Sequence, residues 1–185
     1  MNLIDYQEFV EGLASVPSTA SFKDRLTASV LGLCGESGEC LDIIYGFING
    51  YEKEFDKNKL IDELSDVVWY VTFACSTLKI KLTDMFVFDL TGVNELHCQP
   101  VKYVLNLVSY STRCSDFVKK HIYHSKDFNE DQFLLNLKHI VEYVYLLANS
   151  LSVSVQYIVD YNVNKLKSRC EFTPPQRRRG FLSNQ

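Results

Sequence analysis

Apolar residues return every three or four positions along most of the chain, the period of an amphipathic α-helix. The pattern predicts a short helix over Leu3–Leu13, ended near Pro17, and a second over Phe22–Phe47. Asn49-Gly50 is a stop signal, and Tyr51–Lys57 reads as a polar turn. Asp56 or Asn58 can cap a third helix running to about Leu78. A shorter helix follows over Thr83–Leu90, with Thr83 as its cap, and Gly92–Pro100 reads as a linker. Three further helices cover Val101–His124, Asn129–Leu151 and Val153–Cys170. The β-branched stretches Val67-Val68 and Val153–Val155 lower helix propensity, but their neighbours keep helical spacing. The expected fold class is all-α, a helical bundle.

The pattern also repeats. Leu60–Phe88 resembles Phe133–Tyr161 at an offset of 73 residues: Val67-Val68 falls on Ile140-Val141, and Tyr70-Val71 on Tyr143-Val144. Upstream, Val30-Leu31-Gly32-Leu33 falls on Val104-Leu105-Asn106-Leu107 at an offset of 74. A nearly constant offset across two helices points to duplicated helical hairpins rather than to chance likeness between amphipathic helices.

Composition narrows the class. Hydrophobic residues make up 46% of the chain, enough for a core and too many for global disorder. The net charge of −4 argues against nucleic acid as the main partner. The one basic run, Arg177-Arg178-Arg179, lies in a Pro-containing tail that reads as solvated, with phosphate contact as the alternative. The six cysteines form no C-x-x-C pair and no zinc-like spacing. The apolar run Val67–Cys75 is too short to span a bilayer. The expectation is a soluble, cytoplasmic protein with reduced thiols and no membrane partner.

The chemistry concentrates on four acids. Glu36 and Glu39 lie one turn apart on one face of the second helix, and Glu63 and Asp66 do the same on the third. The midpoint of Glu39 and Glu63 is residue 51, and so is the midpoint of Glu36 and Asp66. An antiparallel hairpin turning at Tyr51 therefore sets Glu39 opposite Glu63 and Glu36 opposite Asp66. Apolar flanks (Leu33, Leu41, Leu60, Val67, Val68) place the acids near a helix–helix seam, where like charges raise one another's pKa until protons or a cation intervene. A hard divalent cation suits an all-carboxylate set; Mg²⁺ fits best and Mn²⁺ is an acceptable substitute. The competing reading is a solvated acidic face. Gly35 and Gly38, costly inside a helix by about 1 kcal/mol each, suggest close packing or room for a ligand.

Gly35-Glu36-Ser37-Gly38-Glu39-Cys40-Leu41-Asp42 and Asp62-Glu63-Leu64-Ser65-Asp66-Val67-Val68-Trp69-Tyr70 resemble the signature of the MazG-like all-α nucleoside triphosphate pyrophosphohydrolases. That superfamily includes dimeric dUTPases and phosphoribosyl-ATP pyrophosphohydrolases. Asn162-Val163-Asn164-Lys165-Leu166-Lys167-Ser168-Arg169 resembles its later Asn/Lys/Arg helix. The resemblance implies Mg²⁺-dependent cleavage between the α and β phosphates of a nucleoside triphosphate, giving the monophosphate and pyrophosphate. Glu36, Glu39, Glu63 and Asp66 would bind metal, with Glu39 favoured as general base. Asn162, Lys165 and Arg169 would bind substrate; an ordinary basic surface is the other reading of the two cations.

The chain departs from the family pattern. About 95 residues separate Asp66 from Asn162, where family members bring the two elements much closer. In the second copy Tyr110, Arg113, Asn136 and His139 stand where the first has Glu36, Glu39, Glu63 and Asp66. The expectation is a fused pseudo-dimer: residues 1–92 a catalytic half, 93–172 a degenerate half supplying the Asn/Lys/Arg helix, and 173–185 a flexible tail. Either a monomeric pseudo-dimer or a homo-oligomer is compatible. His139 reads as a core or interface histidine, and Trp69, Tyr70, Tyr143 and Tyr145 as core aromatics rather than base-stacking groups. A dUTPase- or dCTPase-like diphosphatase and a non-catalytic nucleotide-binding module remain alternatives.

Overall fold

The computed structural model describes residues 1–87 and 99–172, the last two without their side chains. Six α-helices occupy them: α1 Leu3–Leu13, α2 Phe22–Ile48, α3 Lys57–Leu78, α4 Pro100–Tyr123, α5 Glu130–Ser150 and α6 Val155–Phe172. No strand occurs among the described residues, so the chain is an all-α bundle. The expected division at residue 92, most of the linker and the tail lie outside the described residues.

The local signals act as their chemistry requires. Asn2, Ser21, Asp56 and Asn129 each accept a backbone N–H of the first turn of their helix. Gly50, at φ 72°, ends α2 in a Schellman turn: Tyr51 N–H bonds the Gly46 carbonyl and Gly50 N–H the Phe47 carbonyl. Pro100 occupies the first turn of α4, where its missing N–H costs nothing.

One element differs from expectation. Leu82–Met85 forms a 3₁₀ turn, with no side-chain cap from Lys81 or Thr83, where an α-helix from Thr83 was expected; Phe88–Leu90 of that expectation lie outside the described residues. Gln7 of α1 ties down the segment that leads into the turn: its amide donates to the Ile80 carbonyl at 2.8 Å and accepts the Leu82 N–H at 2.8 Å. A tertiary partner thus satisfies two backbone groups in the link between α3 and this turn.

α3 is the most enclosed element. Leu60, Ile61, Leu64, Val67, Val68, Val71 and Ala74 are all buried, and the helix packs against α1, α2, α5 and α6. α2 is sandwiched between α3 and α4, and α4 pairs in turn with α5. At the α2–α4 seam the buried hydroxyls of Ser37 and Ser111 meet at 2.8 Å. No helix among the described residues is long and apolar enough to cross a membrane.

Candidate metal centre

The α2–α3 hairpin brings the acidic pairs together. One carboxylate oxygen each from Glu36, Glu39 and Glu63 lies within 4.8 Å of the others. Glu63 is buried, Glu36 half-buried and Glu39 exposed, so the group opens to solvent on the Glu39 side. Ser37 points the other way, towards α4, because successive helical residues are rotated by about 100°.

Like charge shapes the protonation of this group. Burial, then the charges of Asp66, Glu39 and Glu63, push the Glu36 carboxyl up to about 7. Burial and then Glu39 raise Glu63. In each case the first-ranking charge is the residue set opposite by a hairpin turning at Tyr51.

Asp66, the fourth acid of the expected set, is held by partners from α6. Its Oδ1 accepts the Asn162 amide at 3.0 Å, and its Oδ2 accepts Lys165 Nζ at 2.7 Å. Lys165 also donates to Asp62 Oδ1 at 2.5 Å and approaches the Asp62 carbonyl at 3.3 Å. Three acceptors thus meet an ammonium with three protons. Burial opposes the Lys165 charge, but the hydrogen bonds to Asp62 and Asp66 outweigh it and hold its pKa above the usual value. Arg169 lies one turn further along α6 and is exposed.

Asp62 was not singled out in the sequence, although it stands four residues before Asp66 and so on the same helical face. Tyr6 was also missed: its hydroxyl donates to Asn162 Oδ1 at 2.9 Å from 156 residues away. No local pattern carries that contact.

The glycines divide. A Cβ at Gly35 or Gly38 would meet nothing within 4 Å, so these positions leave room beside the acids. The close packing is at Gly32, where a Cβ would overlap the Tyr70 ring. That ring adjoins the site: burial, then the charges of Glu36 and Asp66, raise its phenol. Trp69 packs edge-on to Tyr70 at 4.8 Å, and Trp69, Tyr70 and Tyr143 are partly buried against the core.

In the second hairpin three of the four aligned positions meet. Tyr110 stacks on His139 at 4.5 Å, and the Arg113 guanidinium covers the Tyr110 ring at 4.8 Å. His139 additionally contacts Glu142 at 3.2 Å, and the Asn136 amide donates to the Gln132 carbonyl of its own helix.

A metal ion fits the first hairpin. Oxygens bound to Mg²⁺ at about 2.1 Å stand about 3–4 Å apart, so the three glutamates need only a small contraction. Their open side admits water or phosphate oxygens. No family model, curated protein or solved structure matches the chain.

Proposed function

We propose that the chain is a Mg²⁺-dependent nucleotide pyrophosphohydrolase of MazG-like type, cleaving a nucleoside triphosphate between its α and β phosphates. The observation that supports this best is the convergence of Glu36, Glu39 and Glu63 across the hairpin, beside an Asp66 held by Asn162 and Lys165. Mg²⁺, when bound, would neutralise phosphate charge and lower the pKa of an attacking water. Glu36 and Glu63, the less exposed members, would hold the ion. Glu39, the exposed member, would take the proton of that water. Asn162 and Lys165 fix Asp66 next to the glutamates; phosphate contact by Lys165 would require it to give up one of its present acceptors. Arg169, exposed one turn further along α6, is the second cation proposed for such a contact.

The proposal extends to architecture: two MazG-like halves fused in one chain, the first supplying carboxylates and the second Asn162 and Lys165. The 2.7 Å approach of Lys165 to Asp66 supports it, because the two motifs meet within one chain. So does the contact between Ser37 and Ser111, 74 residues apart like the aligned Val30 and Val104. A role in clearing non-standard nucleotides or adjusting a nucleotide pool, in the cytoplasm, follows.

A panel of ribo- and deoxyribonucleoside triphosphates, assayed for pyrophosphate with and without Mg²⁺, tests the reading. The expected result is Mg²⁺-dependent release that E36Q or E63Q lowers at least about 100-fold. Release confined to dUTP or dCTP selects the narrow diphosphatase. Calorimetric nucleotide binding without release selects the binding module, which the loss of acids in the second hairpin favours.

A further inference from the structure

Tyr6, Asn162 and Ser65 are each wholly buried, yet all three are polar at the tip. Burying such groups is costly unless every one finds a partner in a defined orientation. Here each does. The Tyr6 hydroxyl donates to Asn162 Oδ1 at 2.9 Å. The Asn162 amide nitrogen then donates to Asp66 Oδ1 at 3.0 Å and to Ser65 Oγ at 3.2 Å. Burial, then the Asp66 charge, raises the Tyr6 phenol, so it stays protonated and remains a donor.

The chain of contacts has a direction. An amide can present either its oxygen or its nitrogen after a half-turn. Tyr6 offers a proton, which only Oδ1 can accept. That choice forces Nδ2 towards Asp66. Without the hydroxyl, either orientation leaves part of the amide unmatched, and the turned one aims Oδ1 at the Asp66 carboxylate.

From this geometry we infer that Tyr6 is a positioning residue for the metal centre: by fixing the Asn162 amide it fixes the Asp66 carboxylate beside Glu36, and so sets the affinity for the divalent cation. The inference rests on the proposed metal site but not on hydrolysis. It assigns α1, which carries no carboxylate of the centre, a part in tuning it from behind. Groups that orient a carboxylate in this way alter metal affinity by about 10–100-fold when removed.

The test is calorimetric titration of Mg²⁺ alone into wild type, Y6F, D66N and Y6F/D66N, with a thermal melt of each. Y6F is expected to weaken Mg²⁺ binding about tenfold. In the D66N background it should leave Mg²⁺ affinity unchanged, because the carboxylate it acts through is gone. Its loss of thermal stability should persist in both backgrounds, since the Asn162 oxygen is left unmatched in each. A purely structural Tyr6 would lower stability and leave Mg²⁺ affinity where it was, or lower affinity equally with and without Asp66; either result overturns the inference. Should Y6F fail to fold, N162A breaks the same link at its middle and must show the same dependence on Asp66. No Mg²⁺ binding by the wild type would overturn this inference and the metal site together. Metal binding without pyrophosphate release would instead sink only the hydrolase reading.

Discussion

At Glu36 three neighbouring acids and burial all oppose ionisation, and the result is a carboxyl pushed up from 4.5 to about 7. Its folded pKa lies above its unfolded one, so between those values the folded chain keeps a proton that the unfolded chain releases. The metal-free protein should therefore lose stability as pH rises through that window, with the loss complete above about 7. A bound cation needs the carboxylate, so Mg²⁺ affinity should rise over the same range. Thermal melts from pH 5 to 8, with and without Mg²⁺, check both signs. The stabilisation by Mg²⁺ should be larger at pH 8 than at pH 5.5, and E36Q should flatten the metal-free curve. A metal-free stability that climbs with pH through this window would contradict the assignment. The meeting of Glu36, Glu39 and Glu63 was legible in the sequence because helix periodicity and one turn position suffice to compute it. The partners of Asp66 were only partly so. Lys165 and Asn162 were named as substrate groups through a family resemblance, whereas their contacts to Asp62 and Asp66 depend on how α6 lies against α3.

Three of the four glycines of α2, Gly32, Gly35 and Gly38, stand at successive turns and do different things. Gly32 lets the Tyr70 ring lie against the helix backbone; Gly35 and Gly38 border open space. Helix propensity alone would treat the three alike, at about 1 kcal/mol each in favour of alanine. Packing separates them. G35A and G38A should each stabilise the metal-free protein, by up to about 1 kcal/mol. G32A should destabilise it by about 1–3 kcal/mol, because the ring must move and α3 with it. Denaturant unfolding of the three variants decides the matter, and a G32A protein as stable as G35A would refute the packing argument. Sequence could offer close packing or ligand room for such glycines but not apportion them, since the ring that fills the space comes from another helix. The segment after α3 has the same lesson: Thr83 looked like a helix cap, but the partner that ties this segment down, Gln7, comes from another helix far away in sequence.

In the whole molecule, the contact between Ser37 and Ser111 is what an isologous interface requires on its axis, where a residue meets its own equivalent. Each serine also reaches back one turn, to the carbonyls of Leu33 and Leu107, which are again 74 apart. Under the proposed duplication, the seam that holds three glutamates in the first hairpin corresponds to the seam closed by Arg113, Tyr110 and His139 in the second. The two solve one problem differently. Carboxylates at a buried seam are relieved by protons or by a cation from solution, whereas stacked rings and a guanidinium need neither. The chain should then bind metal at one seam only. Y110E, R113E and N136E combined would place the glutamate set in the second hairpin. That variant should be less stable than wild type without metal, and should gain more stability from Mg²⁺. Its Mg²⁺ stoichiometry by calorimetry should be twice that of the wild type, and E36Q/E63Q added to it should halve the number again. A folded variant with unchanged stoichiometry would mean that the second seam has no metal geometry to recover, and the duplication would lose its functional meaning. If the number doubles, the seam geometry survives in both halves, and only the side chains decide which half holds the ion.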